Sequence, residues 1–415
     1  MATRPLQLPA PLAYALRWSV PCLCVALVSG LSSGFFLWAL EWTTSAHKSH
    51  PWLLWLLPFA GLGSGLVYHK FGGTAESGNN LILTQVRESN APIPLRMAPL
   101  VLGGTLLTHL FGGSAGREGT AVQMAGSLAD RFTRPLRLTP HERKVLLRAA
   151  IAGGFAAVFG TPLAGTLFAL EVVVAGSFSL STLLPCLATA LLADPVVALL
   201  PIHHNQYAAG IAPSGLWPLL ASALLGLGAG FLARLFARSA RTIAHTLRQR
   251  VSWPPLRPFV GGIVVALLGS VLGSRFLGLG LPEIASSFEV GAGPFDALAK
   301  LLMTVLTVGS GFKGGEVTPL FYIGSHLGSS LAPLLHLPVA SLAAVGFVAV
   351  FAGATNTPLA CTIMAMELFG SSFGPMAAVA CLASWLASGP HGIYSAQTHA
   401  FRKGTSPSAD RDDFL

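Results

Sequence analysis

The sequence predicts an all-α polytopic membrane protein made of two homologous halves of short, broken helices. Three observations carry that prediction. Hydrophobic residues make up 53% of the 415 positions and charged residues only 10%, with a mean hydropathy of +0.65; a soluble domain carries roughly 25% charged residues. Apolar segments recur along the whole chain, yet several are too short to cross ~30 Å of hydrocarbon as ordinary helices. Finally, marks of the first half return in the second at nearly constant spacing, which is how an internal repeat reads.

Residues 1–17 read as an N-terminal cytoplasmic segment with Arg4 and Arg17. The apolar run after them has no cleavage site, so it reads as a retained first helix and not a removed signal peptide. Apolar segments then occupy approximately 18–40, 52–69, 97–111, 119–130, 146–172, 179–201, 215–237, 258–281, 297–309, 317–336, 337–368 and 374–389. The short ones are interrupted by Gly and Pro, as in helices that break near the membrane midplane. Loop signals fall at 70–79, 88–96, 131–143, 202–214, 248–257 and 282–296. The expected division is a first membrane repeat over 18–205, a second over 206–400, and a short polar tail at 401–415 with no appended soluble domain.

The net charge of +9 is concentrated in two basic clusters. One holds Arg131, Arg134, Arg137, Arg143, Lys144 and Arg148; the other holds Arg234, Arg238, Arg241, Arg248, Arg250 and Arg257. The positive-inside rule puts both in cytoplasmic loops of a multi-pass protein, here of a bacterial inner (plasma) membrane. That topology explains the clusters without nucleic acid, which is not expected as a partner. The five cysteines lie in apolar runs as core-filling thiols, and neither they nor the twelve histidines show metal-ligand spacing. His203-His204 reads as part of a solvated loop. No metal and no cofactor are expected. The nucleotide pattern G-x-x-x-x-G-K-[ST] is absent, which argues against a primary pump.

The repeat is specific. Phe159-Gly160-Thr161-Pro162-Leu163-Ala164-Gly165-Thr166, followed by Glu171, recurs as Thr355-Asn356-Thr357-Pro358-Leu359-Ala360-Cys361-Thr362, followed by Glu367. Gly116-Arg117-Glu118-Gly119-Thr120 recurs as Gly314-Gly315-Glu316-Val317-Thr318. The offsets are 196 (357 − 161) and 198 (314 − 116). Gly78 has a weaker counterpart in Gly278. Two such halves indicate a secondary transporter or channel with its site at the repeat interface. Whether the halves are inverted does not follow from the repeat itself.

The stretch from Gly112 to Gly126 organises this site. It places Glu118 at a helix start among glycines that leave backbone N–H groups uncovered. A helix start carries partial positive charge and unpaired donors, and so attracts anions. A carboxylate there can occupy the anion's position, and leave it when protonated. A carboxylate within a membrane segment costs about 2.5–3.5 kcal/mol on insertion scales, so function is its default reading.

These residues resemble the CLC family of anion channels and anion/proton antiporters over nearly the whole membrane chain. Gly116-Arg117-Glu118-Gly119 is similar to the family's gating-glutamate motif, and Gly314-Gly315-Glu316-Val317-Thr318-Pro319 to its second anion-facing helix start. Gly78-Asn79-Asn80-Leu81-Ile82 stands where the family carries a serine, and Tyr394 matches its central tyrosine. The resemblance implies inverted repeats of broken and re-entrant helices, and a homodimer with one pore per subunit. Four departures matter: Asn79 replaces the serine, Thr120 replaces a proline, Val172 replaces the inner proton-relay glutamate, and Glu316 adds a second carboxylate. Together they resemble the fluoride/proton antiporters of the CLC-F branch.

The resemblance gives the candidate roles. Glu118 is gate and proton carrier. Asn79 offers a neutral N–H donor to fluoride, a small and strongly hydrated acceptor, with capping of its own helix as the plainer role. Gly119 and Val317 contribute backbone amides, and Tyr394 donates its phenolic O–H from the cytoplasmic side. Glu316 belongs to a proton route or gate, and Thr318 donates to the anion or links a proton path; both also read as ordinary helix-start residues. Arg117 pairs near the gate, Glu171 and Glu367 act as structural anchors, and Lys313 stands where it draws anions. The expected function is fluoride export driven by inward protons, by a secondary active transporter and not an enzyme. The alternatives are a chloride/proton antiporter and a passive anion channel. Gly112-Gly113-Ser114-Ala115-Gly116 also satisfies the G-x-S-x-G pattern of serine hydrolases, which would need a histidine partner for Ser114.

Overall fold

A computed structural model describes residues 10–175, 180–202 and 204–399, and among them sixteen α-helices fall in two runs of eight. The first run is α1 (Ala10–Ser49), α2 (Leu57–Phe71), α3 (Asn79–Glu88), α4 (Met97–Leu110), α5 (Glu118–Ala129), α6 (Pro140–Phe159), α7 (Pro162–Glu171) and α8 (Leu180–Ala198). The second is α9 (Leu216–Arg250), α10 (Leu256–Leu272), α11 (Leu281–Ser286), α12 (Asp296–Gly309), α13 (Val317–Leu335), α14 (Val339–Thr355), α15 (Pro358–Phe369) and α16 (Gly374–Ala387). Two strands of two residues, β1 (Val174–Ala175) and β2 (Thr398–His399), pair in parallel and tie the segment after α16 to the one that follows α7. The polar segments 1–9 and 400–415, and His203, lie outside the described residues.

The breaks follow from local chemistry. The sequence reads 146–172 and 337–368 as single apolar segments, but each is two helices. In both, proline at the first position of the second helix blocks continuation of the first. The preceding helix ends left-handed, at Gly160 (φ 69°) in one half and Asn356 (φ 56°) in the other. The 258–281 segment likewise ends as helix at Leu272.

Four spans are long and apolar enough to cross a membrane, within residues 12–49, 51–71, 181–198 and 216–250. One expectation fails here. Arg234, Arg238, Arg241, Arg248 and Arg250 do not lie in a loop but on α9, which runs 35 residues without a break. At 1.5 Å per residue such a helix exceeds the hydrocarbon by several turns, so its basic end projects beyond the apolar zone. The inner face is therefore marked by the end of α9 together with Arg131, Arg134 and Arg137 beyond α5.

The two runs are inverted. Helices α7 and α15 occupy equivalent places in the repeat and lie antiparallel, each ending beside the other's start. Glu367, near the end of α15, accepts hydrogen bonds from the Leu163 and Ala164 amides of α7 at 2.9 and 2.7 Å. Glu171, at the end of α7, accepts from the Leu359 and Ala360 amides of α15 at 3.3 and 3.0 Å. The anchoring role expected for both glutamates takes this form. An aromatic core joins the halves: Phe155 stacks on Phe168 with centroids 4.6 Å apart, and Phe168 stacks on Phe351 at 5.7 Å.

Candidate functional site

The first turns of α5 and α13 meet at the centre of the molecule. Their approach is set by Gly116 and Gly315, which exchange reciprocal backbone hydrogen bonds of 2.6 and 2.7 Å in an antiparallel bridge. Gly315 has no room for a side chain against backbone, and one on Gly116 would press on the Glu118 carboxylate. A Cβ on Gly315 would stand 2.9 Å from the Gly119 amide nitrogen, and one on Gly116 2.9 Å from Glu118 Oε2.

Glu118 is 1% exposed. Its Oε2 accepts from the Arg117 and Thr318 backbone amides, each at 3.1 Å. Its Oε1 accepts a short hydrogen bond from the Thr318 hydroxyl, and Arg117 Nε stands 3.6 Å from the same oxygen. The amides that hold the carboxylate are thus those of Arg117 and Thr318, not Gly119 and Val317. Thr318 binds the carboxylate in place of a free anion, and it links the two halves.

Gly119 and Val317 instead line a cavity on the inner side of Glu118, together with Asn79, Val172, Tyr394 and the Phe155 and Phe168 rings. Its volume is about 20 Å³, room for one water-sized species. As first-turn residues, Gly119 and Val317 have no intrahelical partner for their N–H groups. Asn79 does not cap its helix: Gly78 is the cap residue, with no side-chain bond, and Asn79 Oδ1 has no hydrogen-bond partner. Its Nδ2 lies 2.8 Å from where a Cβ on Gly119 would be, so the amide passes directly over the start of α5.

Tyr394 reaches the cavity from a segment clamped to both halves. The Ile393 amide donates to Ala354 O at 2.8 Å and the Ala396 amide to Asn80 Oδ1 at 3.0 Å. Arg87 Nη1 donates to Ala396 O at 3.1 Å, and Gln397 Nε2 to Thr355 O at 2.8 Å.

Beyond the carboxylate lies a second cavity of about 20 Å³, lined by Arg117, Asn205, Tyr207, Thr318 and apolar residues. The Glu118–Thr318 contact stands between the two. Glu316 is the residue before α13 and lines neither cavity; it forms no ion pair among the described residues. Lys313 points away from both, its ammonium 4.0 Å from the centroid of the Tyr68 ring. The serine-hydrolase arrangement does not form: Ser114 Oγ pairs with Thr304 Oγ1 at 2.8 Å, while His109 Nε2 faces Gly116 O at 3.5 Å. His204 pairs with Asp194 at 3.2 Å.

Residues 60–388 match the voltage-gated chloride channel family. The chain belongs to that family, the CLC proteins. It is 47% identical over 412 residues to a chloride/fluoride channel protein of Pseudomonas syringae pv. tomato, covering 97% of this chain and 91% of that one. Among solved structures it superimposes on a CLC-type fluoride/proton antiporter with a TM-score of 0.90 and 36% identity, over 95% of this chain and all of the other. A slow cyanobacterial chloride/proton antiporter shares the fold at a TM-score of 0.78 and 20% identity, over 91% and 96% of the two chains. The CLC fold thus accounts for the inverted repeat and the meeting of helix starts.

Two features of this CLC chain were not read from the sequence. Arg143 appeared there only as part of a basic cluster, but it is buried and donates to Asp130 at 2.6 and 3.0 Å, Ser89 Oγ at 3.0 Å and Ala91 O at 2.7 Å. It fixes the far end of α3, whose near end carries Asn79. The outer cavity with Asn205 and Tyr207 was also missed, because both residues sit in a stretch that reads as a plain loop.

Proposed function

We propose that this CLC protein is a fluoride/proton antiporter of the bacterial inner membrane, a secondary active transporter and not an enzyme, working as a homodimer with one path per subunit. Fluoride enters from the cytoplasm past Tyr394 and rests in the inner cavity, where the Asn79 amide, the Tyr394 hydroxyl and the first-turn amides of Gly119 and Val317 replace its water. Glu118 carries the proton. Ionised, it is held by Arg117 and Thr318 and closes the way between the cavities; protonated, it loses much of that hold and frees the path. Glu316, one residue from Val317, serves the proton route. Export of fluoride is then driven by protons moving inward.

The observation that carries this reading is the position of Glu118. One carboxylate, clasped by amides of both halves, separates two ion-sized cavities, so its protonation and the anion's passage are linked. The relatives' names support fluoride as the anion, and the replacement of the inner relay glutamate by Val172, on the inner cavity wall, fits the same branch.

Reconstitution in liposomes tests the reading. Wild type should move fluoride uphill on a proton gradient, and Glu118→Gln should lose the coupling. Equal chloride flux would place the chain among chloride antiporters, and fluoride flux without proton coupling would make it a channel.

A further inference from the structure

We infer that a chamber at the outer face, bounded by α11, α12 and α13, binds a small primary ammonium cation, whose three N–H groups meet the Glu283 carboxylate, the His326 Nε2 and the Tyr322 hydroxyl. The site stands beside the transport path and does not depend on which anion the protein carries. Its volume is about 410 Å³, far more than either cavity next to Glu118. Its face follows from the inversion. Helix α5 runs from the centre toward the inner side, where Arg131, Arg134 and Arg137 follow it, so its counterpart α13 runs toward the outer side. His326 lies nine residues beyond Val317 (326 − 317), roughly 13 Å along that helix. Consecutive residues face the two spaces: Leu281 and Phe321 line the cavity beyond Glu118, while Pro282 and Tyr322 line the chamber.

What the chamber leaves open is acceptors. Arg275 on its wall is turned onto Asp296, Nη2 to Oδ1 at 2.8 Å, and the Gly293 amide donates to Asp296 Oδ2 at 3.0 Å. The Ser287 hydroxyl donates to Ile284 O at 2.7 Å, and the Ala292 amide to Ser329 Oγ at 3.2 Å. These donors are engaged within the protein. The Glu283 carboxylate, by contrast, forms no ion pair among the described residues. Tyr322 is 0% exposed, yet its hydroxyl has no hydrogen-bond partner, and it lies within electrostatic reach of Glu283 and Asp296. A buried polar group without a partner is costly, so a ligand that satisfies it gains by doing so. His326 Nδ1 stands 2.9 Å from Tyr322 O. A carbonyl only accepts, so Nδ1 carries the proton, and Nε2 on the far edge of the neutral ring is left as an acceptor. Stacking on Tyr322, with centroids 3.8 Å apart, fixes that ring.

A ligand for such a chamber must donate, and the unpaired carboxylate favours positive charge. A primary ammonium has three N–H donors, one for each open acceptor. Lys300 shows the same match behind the Tyr322 ring. Its buried ammonium, 5.2 Å from the ring centroid, donates to the Phe276, Leu277 and Gly278 carbonyls at 3.2, 3.4 and 2.7 Å. Those carbonyls take up its protons, so Lys300 does not serve the acceptors of the chamber. A metal ion fits less well, since no three His, Cys, Asp or Glu side chains converge among the described residues.

Thermal unfolding of the full chain in detergent, at constant chloride, tests this with methylammonium chloride. A ligand bound only by the folded protein raises Tm with its concentration. Methylammonium should raise Tm saturably. Sodium should not, nor should tetramethylammonium, which has the same charge without N–H donors. Tyr322→Phe removes a hydroxyl that has no partner in the protein, so it should melt like wild type without ligand. It should need roughly tenfold more methylammonium for the same rise, the effect of one hydrogen bond to a charged group. Glu283→Gln keeps the size, removes the charge and should need at least as large an increase. No rise with methylammonium, an equal rise with tetramethylammonium or sodium, or an unchanged requirement in either variant overturns the inference.

Discussion

Glu171 and Glu367 each cap the helix that the other one ends. The Glu367 carboxylate accepts from the first amides of α7, and the Glu171 carboxylate from the first amides of α15. This reciprocal pair sits where the two halves are related by inversion. It satisfies four amides that proline-started helices would otherwise leave unpaired inside the membrane. The same symmetry brings α5 and α13 together at Gly116 and Gly315.

The caps predict matched stability losses. Glu367→Ala and Glu171→Ala should each destabilise the protein by about 1–3 kcal/mol, the cost of leaving buried amides unsatisfied. Thermal unfolding in detergent would show this as a drop of a few degrees in each variant. Replacement by Gln, which keeps an acceptor oxygen, should recover most of it. A large loss in one variant and none in the other would argue against equivalent roles.

Thr318 predicts a split between hydroxyl and methyl. Thr318→Val removes the donor to Glu118 Oε1 and keeps the shape and the backbone amide. Coupled fluoride/proton exchange should fall about tenfold, the effect of one hydrogen bond to a charged group. Thr318→Ser restores the hydroxyl and should stay within about twofold of wild type. Flux measurements on reconstituted protein decide it, and equal rates in all three proteins would remove Thr318 from the transport cycle.

The bridge glycines predict loss of transport without loss of fold. In Gly315→Ala the new methyl would meet the Gly119 amide nitrogen at 2.9 Å, forcing α5 and α13 apart at the one place where they define the cavities. Fluoride flux should fall more than about tenfold, since misplacement by an ångström at a site costs about two orders of magnitude. Gel filtration should still give a single peak at the wild-type volume, because the contact is local. Wild-type flux in this variant would mean that the helix starts need not touch.

Much of this was legible in the sequence because the repeat and the glycines are local marks. Gly116, Glu118, Thr318 and Tyr394 were found from short motifs, and the structure brings the first three into one cluster with Tyr394 on the wall of the cavity beside it. What was not legible depends on inversion. Nothing near Glu171 says that its partner amides lie 188 residues away at Leu359, and nothing near Tyr207 says that its loop folds back over Arg117. Arg143 is hidden in the same way, because a buried ion pair and a solvated cation look alike in a basic cluster. The positive-inside rule assigns the second basic cluster to a face and not to a loop, and α9 carries most of it past the hydrocarbon as helix.

Arg143 and Asp130 predict an asymmetry between single and double replacement. Arg143→Met strands the Asp130 carboxylate, which is 7% exposed, and should cost about 3–5 kcal/mol, as breaking a buried ion pair does. Adding Asp130→Asn removes the stranded charge and should recover a large part of that loss. Thermal stability in detergent measures both, and strict additivity of the two single effects would show that the pair is not coupled.

Asn79 predicts where selectivity resides. Its Nδ2 passes over the start of α5 and the residue lines the inner cavity, so the amide donor stands beside the place where the anion rests. Fluoride is the stronger hydrogen-bond acceptor of the two halides and loses the more tightly held water, so a directed donor favours it over chloride. In Asn79→Ser the shorter side chain withdraws that donor, and the fluoride-to-chloride flux ratio should fall about tenfold, one charge-assisted hydrogen bond's worth. Asn79→Asp places a negative charge at the same point and should suppress both fluxes. Paired fluoride and chloride efflux from liposomes reads the two effects directly. If the ratio were unchanged in Asn79→Ser, discrimination would fall to the cavity's apolar wall, where Phe155 and Phe168 set the space available to a larger ion.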